Sequence, residues 1–200
     1  SIGTLLPAAG QALAASASAV YVAAGSAGLL SVDPVTLAVM ATNTVGGEAA
    51  DVALAGDTLY VAAGFGGCQI FSVASPSVPV LLGTFGHPAR AADAEVSGSS
   101  LFLAGDEAGL QVHSLTNAAN PEWVATVAAA TNPRCLAVTG SLAFVAEALG
   151  DLKIYSISNP AVPGLLGAAP ANGLATIRRL AVSASRLAAS VAVSRYVLAT

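Results

Sequence analysis

The sequence has few charged residues. Of its 200 residues, 9% are charged, 55% are hydrophobic and 5% are aromatic, and the formal net charge is -4. So large an apolar fraction excludes a disordered chain and provides an ample core. Seven basic side chains against eleven acidic ones exclude a nucleic-acid partner, because affinity for phosphates comes from clustered lysine and arginine. A chain of this length is expected to form one domain.

Long apolar runs and cysteine pairs are also missing. No stretch reaches the roughly 18–20 continuous apolar residues of a membrane helix, so no membrane insertion is expected. Cys68 and Cys135 are too few for a disulfide scaffold and lack the paired spacing of a zinc site. We therefore expect two free thiols, no metal site and no cofactor. The sequence begins at Ser1 rather than at Met, which is expected of a mature, trimmed or partial chain.

One short unit recurs along the chain. It is Ala-Val-Tyr-Val-Ala-Ala-Gly at 19–25, Thr-Leu-Tyr-Val-Ala-Ala-Gly at 58–64 and Ser-Leu-Phe-Leu-Ala-Gly at 100–105, with weaker copies at 142–147 and 186–190. Equivalent positions are spaced by 39, 42, 42 and 44 residues, and they hold Tyr21, Tyr60, Phe102, Phe144 and Ala188. A period near 42 is typical of propeller blades or of helical pairs.

Short segments rich in β-formers favour blades. The second copy offers four strands, at 51–55, 58–62, 67–73 and 80–85, and a Ser-Pro-Ser-Val-Pro turn at 75–79 precedes the fourth. Proline fixes φ and cannot donate to a strand ladder, so it belongs in such a connection. No unit offers the ten or more residues at a 3.6 period that a helical pair needs.

The two ends of the chain complement each other. Residues 1–6 are similar to the fourth strand, as at 81–85, whereas residues 194–200 align with the third strand at 151–157. A first segment that completes the last blade hides sheet edges and closes a ring. We predict one all-β domain, a five-bladed β-propeller of four-stranded antiparallel blades at 11–45, 49–86, 91–128, 134–168 and 177–200 plus 1–6. A cut from a larger ring remains the alternative.

The repeats resemble the LVIVD-repeat family of β-propellers. The first element of the unit is Asp-Val-Ala-Leu-Ala-Gly at 51–56 and Arg-Cys-Leu-Ala-Val-Thr-Gly at 134–140. The third element is Gly-Leu-Leu-Ser-Val-Asp at 28–33, Gly-Leu-Gln-Val-His-Ser-Leu at 109–115 and Asp-Leu-Lys-Ile-Tyr-Ser-Ile at 151–157. The resemblance implies a secreted or surface-attached bacterial scaffold, located outside the cell, often part of a larger protein, with no shared catalytic residue.

One end of the ring collects much of the charge. If strands alternate in direction, the connections between blades and the loops between second and third strands lie on the same face, and loops carry most binding residues. This candidate binding face comprises Glu48, Asp51, Phe65, His87, Arg90, Asp93, Asp106, Glu107, Arg134, Glu147, Arg178 and Arg179. Charge on exposed loops also needs no functional explanation.

Five equivalent positions should meet at the mouth of the channel. They start the innermost strands and hold Ala12, Asp51, Asp93, Cys135 and Arg179. Two carboxylates fall short of the about six oxygen ligands that calcium takes, so a structural ion pair with Arg179 is the better interpretation.

Catalytic chemistry is weakly supported. His87 precedes a proline, His113 is placed to pack within a third strand, and no Gly-x-Ser-x-Gly elbow occurs. The sequence therefore predicts a monomeric, non-catalytic binding or scaffold propeller, with a protein or glycan as partner. A glycan-acting hydrolase that uses Asp51, Asp93 and Glu147, or a structural fragment of a larger propeller, remains open.

Overall fold

The protein folds from β-strands. The computed structural model describes residues 9–86, 90–127, 130–170, 175–183 and 186–193. Within these ranges every regular element is a strand, apart from one 3₁₀ turn at Asp106–Ala108. No helix there is long and apolar enough to cross a membrane. The all-β class expected from the repeat is confirmed.

The strands form four sheets of four strands and one sheet of two. Sheet 1 contains β1 (Ala12–Ala15), β2 (Val20–Ala23), β3 (Leu29–Val32) and β4 (Val39–Asn43). Sheet 2 contains β5 (Asp51–Ala55), β6 (Thr58–Ala62), β7 (Cys68–Ser72) and β8 (Val80–Phe85). Sheet 3 contains β9 (Ala91–Ser97), β10 (Ser100–Gly105), β11 (Gly109–Ser114) and β12 (Glu122–Val127). Sheet 4 contains β13 (Pro133–Thr139), β14 (Leu142–Glu147), β15 (Leu152–Ser156) and β16 (Gly164–Ala169), and sheet 5 contains β17 (Ala175–Ser183) and β18 (Arg186–Val193).

Successive sheets are joined through their first strands. In each four-stranded sheet the strands pair antiparallel in chain order, and β1, β5, β9, β13 and β17 are neighbours in that sequence. Backbone hydrogen bonds add two bridges between sheets: Gly25 with Ala49 at 2.9 and 3.0 Å, and Gly64 with Ala91 at 2.9 and 3.1 Å. Sheets 1 and 2, and sheets 2 and 3, are therefore joined from the turn after one second strand to the start of the next first strand.

The core lies between the sheets, because both faces of the inner strands are covered. Successive side chains of a strand point to opposite faces. Leu59 accordingly packs in the cluster between sheets 1 and 2, whereas Tyr60 packs between sheets 2 and 3. Phe102 and Tyr155 fill the cluster between sheets 3 and 4. Burial on both sides explains why the second strands are nearly continuous apolar runs rather than alternating ones.

Glycine is required where the second strand turns into the third. Gly109 has a φ of +73°, and a Cβ added there would lie 2.8 Å from the carbonyl oxygen of Val127. Gly28 occupies the same place in sheet 1 with a φ of +82° and meets the carbonyl of Asn43. A left-handed conformation without a side chain lets the fourth strand pass close to this turn.

The strand pattern predicted for the second copy agrees with sheet 2, where the third strand is Cys68–Ser72 rather than 67–73. The described residues establish four four-stranded sheets and a two-stranded fifth. The expected closing strand at 1–6 and the expected third strand of the last blade at 194–200 lie outside the described residues.

Candidate functional site

Five equivalent backbone positions meet where the first strands come together. Ala12 lies opposite Ala23, Asp51 opposite Ala62, Asp93 opposite Ala104, Cys135 opposite Ala146, and Arg179 opposite Ser190. In sheets 3, 4 and 5 the pairing of the first and second strands shifts by one residue just before this position. The shift falls between Ala91 and Asp93, between Pro133 and Cys135, and between Ile177 and Arg179. The repeat thus places one residue per sheet at the equivalent point of its first strand, as the sequence predicts.

Three of these side chains reach the backbone of the next sheet. The Asp51 Oδ2 accepts a hydrogen bond of 3.1 Å from the Ala94 amide, and the Asp93 Oδ2 accepts one of 3.0 Å from the Leu136 amide. The Cys135 thiol donates a weaker bond of 3.9 Å to the carbonyl oxygen of Ile177. Each contact joins one first strand to the following one, about one repeat later in the chain.

Arg179 connects the fifth sheet back to the beginning of the chain. Its Nη1 lies 3.1 Å from the Asp51 Oδ1. Its Nη2 donates to the carbonyl oxygen of Ala50 at 3.3 Å and to that of Gln11. The ion pair expected from the sequence is confirmed, and Arg179 links sheet 5 to sheet 2 and to the residue that precedes sheet 1.

Asp51 and Asp93 are two buried acids on neighbouring first strands, β5 and β9. Asp51 is 7% exposed and Asp93 is 5% exposed. Burial, together with the charge of Asp51, raises the pKa of Asp93 well above its usual range. Burial also raises the pKa of Asp51, opposed by the Ala94 amide and the Arg179 guanidinium. Because Arg179 lies against Asp51, it favours the charged form of that carboxyl.

An open cavity of about 740 Å³ lies beside the pair and is lined by the first strands. Asp51, Asp93, Arg179 and Leu13 line it, and so does Glu95, which sequence reasoning missed. Glu95 follows Asp93 by two residues, and side chains at this spacing share one face of a strand. That alternation was the signal that could have identified it. Burial, and to a lesser degree the charge of Asp51, raises the pKa of Glu95 to about 7.

Glu147 lies away from this cavity and is held in an ion pair. Its Oε1 is 2.7 Å from the Lys153 Nζ and accepts a 2.7 Å bond from the Thr131 amide, and its Oε2 accepts one of 3.2 Å from the Thr131 hydroxyl. It does not line the cavity that contains Asp51 and Asp93. The three carboxylates proposed for a hydrolase therefore do not converge.

The remaining residues of the candidate face lie at the turns and connections. Arg134 pairs with Asp106 at 3.3 Å across sheets 3 and 4. Phe65 is 88% exposed at the tip of the β6–β7 turn, Glu48 is exposed, and Arg90 is half-buried. The position of His87 and the side chains of Glu107 and Arg178 lie outside the described residues.

Neither a metal centre nor a reactive thiol is found in the part of the chain that the structure describes. It contains no group of three or more His, Cys, Asp or Glu side chains placed to hold a metal ion. Both cysteines are free and buried, as expected. Burial raises the pKa of Cys135 to about 12 and raises that of Cys68 further, so both thiols are protonated at neutral pH.

The sheets define an all-β repeat protein with a propeller-like arrangement. A family model described as the LVIVD repeat matches residues 46–86 and 132–169, which include sheets 2 and 4. The chain thus contains LVIVD repeats, and the resemblance drawn from its sequence is confirmed.

Two solved structures have similar folds. The chain matches the crystal structure of the computationally designed Ika4 protein with a TM-score of 0.62 and 13% identity, over 76% of this chain and 94% of that one. It matches the computationally designed Ika8 protein with a TM-score of 0.61 and 12% identity, over 91% of this chain and 68% of that one. Identities this low show similarity of fold alone. No curated protein matches the sequence.

Replacing Arg179 with alanine should destabilise the protein more than replacing Arg134. Both arginines are similarly exposed, at 40% and 39%, but Arg179 also donates to two carbonyls and faces a buried carboxylate. We expect Arg179→Ala to lower the free energy of unfolding by about 1–2 kcal/mol and Arg134→Ala by less than about 1 kcal/mol, allowing for solvent screening. Urea unfolding followed by circular dichroism measures both. Equal losses, or an undiminished effect of Arg179→Ala in an Asp51→Asn background, would contradict the assigned contacts.

Proposed function

We propose that the chain forms a closed five-bladed ring and serves as a non-catalytic binding or scaffold domain of a secreted or cell-surface protein. The observation that carries this proposal is the use of the buried acids. Asp51, Asp93 and Glu147 each accept backbone hydrogen bonds, and Asp51 and Glu147 are also paired with cations. The carboxylates best suited to chemistry are thus engaged in holding the fold.

Two contacts support closure of the ring. Arg179 in sheet 5 bonds to Ala50 and Gln11, so the last described sheet lies beside the beginning of the chain. Val22, Leu30 and Val32 on the second face of sheet 1 are 0–6% exposed, although their cluster contains residues of sheet 1 only among the described side chains. In a closed ring the fifth blade covers this face, and residues 1–6 complete that blade.

The geometry of the carboxyl pair supports scaffold over hydrolase. A glycosidase needs two carboxyl groups that are free to act on the substrate and on water. Asp51 and Asp93 each accept a backbone amide instead, from Ala94 and from Leu136. Asp51 is also paired with Arg179, so the contacts of both carboxyls are structural.

Exposed apolar side chains on the candidate face support a role in binding. Phe65 at the β6–β7 turn is 88% exposed. Leu149, which was not among the predicted residues, lies at the equivalent β14–β15 turn and is 85% exposed. The charged groups Glu48 and Arg134 accompany them on this face. Aromatic and apolar anchors surrounded by charge are typical of protein interfaces. The LVIVD repeats support an extracellular setting, where the partner is a protein or a glycan.

Removal of residues 1–6 tests closure of the ring. We expect the full chain to unfold cooperatively as a monomer, and the shortened chain to be much less stable, because the fifth blade would lose its outer strand and expose an edge. Sedimentation and guanidinium unfolding of the two chains provide the comparison. If the two chains are equally stable, or if both self-associate, the segment does not close a five-bladed ring.

A paired substitution tests the binding face. Phe65→Ser with Leu149→Ser should abolish binding to a partner found by screening purified extracellular proteins and soluble polysaccharides, because both anchors are lost. Val78→Ser with Val162→Ser is the matched control, since these side chains are 62% and 72% exposed on the opposite connections of the same two sheets. Surface plasmon resonance measures the affinities. Unchanged binding by the first variant, or turnover of a polysaccharide that Asp51→Asn abolishes, would refute the proposal.

A further inference from the structure

We propose that the cavity between the first strands binds a small organic amine, whose ammonium group pairs with Glu95 while its apolar part lies against leucine and valine side chains of the wall. The cavity is open and measures about 740 Å³. Ligand pockets in proteins measure roughly 300–1,000 Å³ and combine apolar side chains with a few polar groups. The cavity therefore has the size of a small-molecule site.

Glu95 departs from the repeat at a position that lines this cavity. It follows Asp93 by two residues and lies opposite Phe102. On the other four first strands the equivalent position holds alanine, at Ala14, Ala53, Ala137 and Ala181. The packing of the repeat is thus compatible with alanine here, and the carboxyl of Glu95 is an addition that the fold does not require.

The Glu95 carboxyl is available to a ligand. Within the described ranges it accepts no hydrogen bond and belongs to none of the ion pairs. By contrast, Asp51 and Asp93 each accept a backbone amide, and the Arg179 guanidinium is used by Asp51 and by two backbone carbonyls. The charged group that the described wall leaves unpaired is therefore an anion, and its complement is a cation that donates hydrogen bonds.

Apolar side chains of the wall select an organic cation over a metal ion. Leu13 is 69% exposed, and Leu54, Val96 and Leu180 are half-buried. All four line the cavity, and covering them with a hydrocarbon chain or ring is favourable. A metal ion would leave them uncovered. One carboxyl also falls short of the about six oxygen ligands that calcium takes.

Ionisation of Glu95 gives the expected affinity a definite dependence on pH. Burial, and to a lesser degree the charge of Asp51, raises the pKa of Glu95 to about 7. An alkylammonium stays charged well above this value, as lysine does, and pairs with the ionised carboxyl, so its affinity should fall about tenfold or more from about pH 8 to about pH 6.

The other titratable groups around the cavity do not reverse this sign. Burial raises the pKa of Asp51 on β5 and of Asp93 on β9, so both gain negative charge as pH rises and favour a cation further. The Cys135 thiol on β13, whose pKa burial raises to about 12, stays neutral. Arg179 on β17 stays charged.

Amide NMR titrations with hexylamine, hexanol and hexanoate test the site, because the three probes carry similar hydrocarbon chains and differ in charge. We expect shifts around Glu95 and affinities that decrease in the order hexylamine, hexanol, hexanoate. In Glu95→Gln the affinity for hexylamine should fall about tenfold or more, whereas that for hexanol should be unchanged. The matched control is Glu122→Gln, an exposed glutamate on the outer strand of the same sheet, which should bind all three probes as the wild type does.

Equal affinities of the wild-type chain for the three probes, or hexylamine binding that Glu95→Gln leaves unchanged, would overturn the proposal. The charge series on the wild-type chain decides the matter if the variant does not fold. Phe65→Ser with Leu149→Ser separates this site from the binding face, because neither side chain lines the cavity. That variant should bind hexylamine normally, and loss of binding in it would place the amine at the face and overturn the site.

Discussion

The unpaired edge of each first strand is the constraint on which the other contacts depend. These strands pair on one side only, so some of their amides face the neighbouring first strand without a ladder partner. A buried amide without an acceptor is costly. Asp51 and Asp93 supply that acceptor to the next sheet. Each carboxylate satisfies an edge amide and joins two repeats at once. The apolar clusters between sheets then hold the outer strands against one another.

This arrangement explains why three acidic residues are buried in a chain that has few charged residues. The protein has eleven acidic residues, and three of them, Asp51, Asp93 and Glu147, are nearly inaccessible. Their partners are amides, one threonine hydroxyl, one lysine and one arginine. Such groups stabilise a fold only while every partner is in place, and removing one partner leaves an uncompensated charge. These polar contacts set one alignment of the sheets more strictly than apolar packing alone would.

Much of the fold could be predicted from the sequence because equivalent residues recur at a nearly constant spacing along the chain. Equivalent aromatic positions such as Tyr60 and Phe102 fixed the unit, and proline turns fixed its fourth strand. The meeting of Asp51 with Arg179 also followed from the repeat. The burial that raises the pKa of Asp51 and of Asp93 did not, because burial is set by packing between distant repeats. The ion pair of Glu147 did not follow either, since its partners Lys153 and Thr131 become neighbours only when the sheet has formed.

Amide hydrogen exchange at Leu136 tests the central claim most directly. If the Asp51 and Asp93 carboxyls hold the sheets together, the amides of Ala94 and Leu136 are strongly protected in the intact chain although neither faces a ladder partner. Asp93→Ala should then remove protection from Leu136 while Ala94 stays protected by Asp51. Comparable exchange of Leu136 in the intact chain and in Asp93→Ala would contradict the account, because the carboxylate would not be what holds that edge.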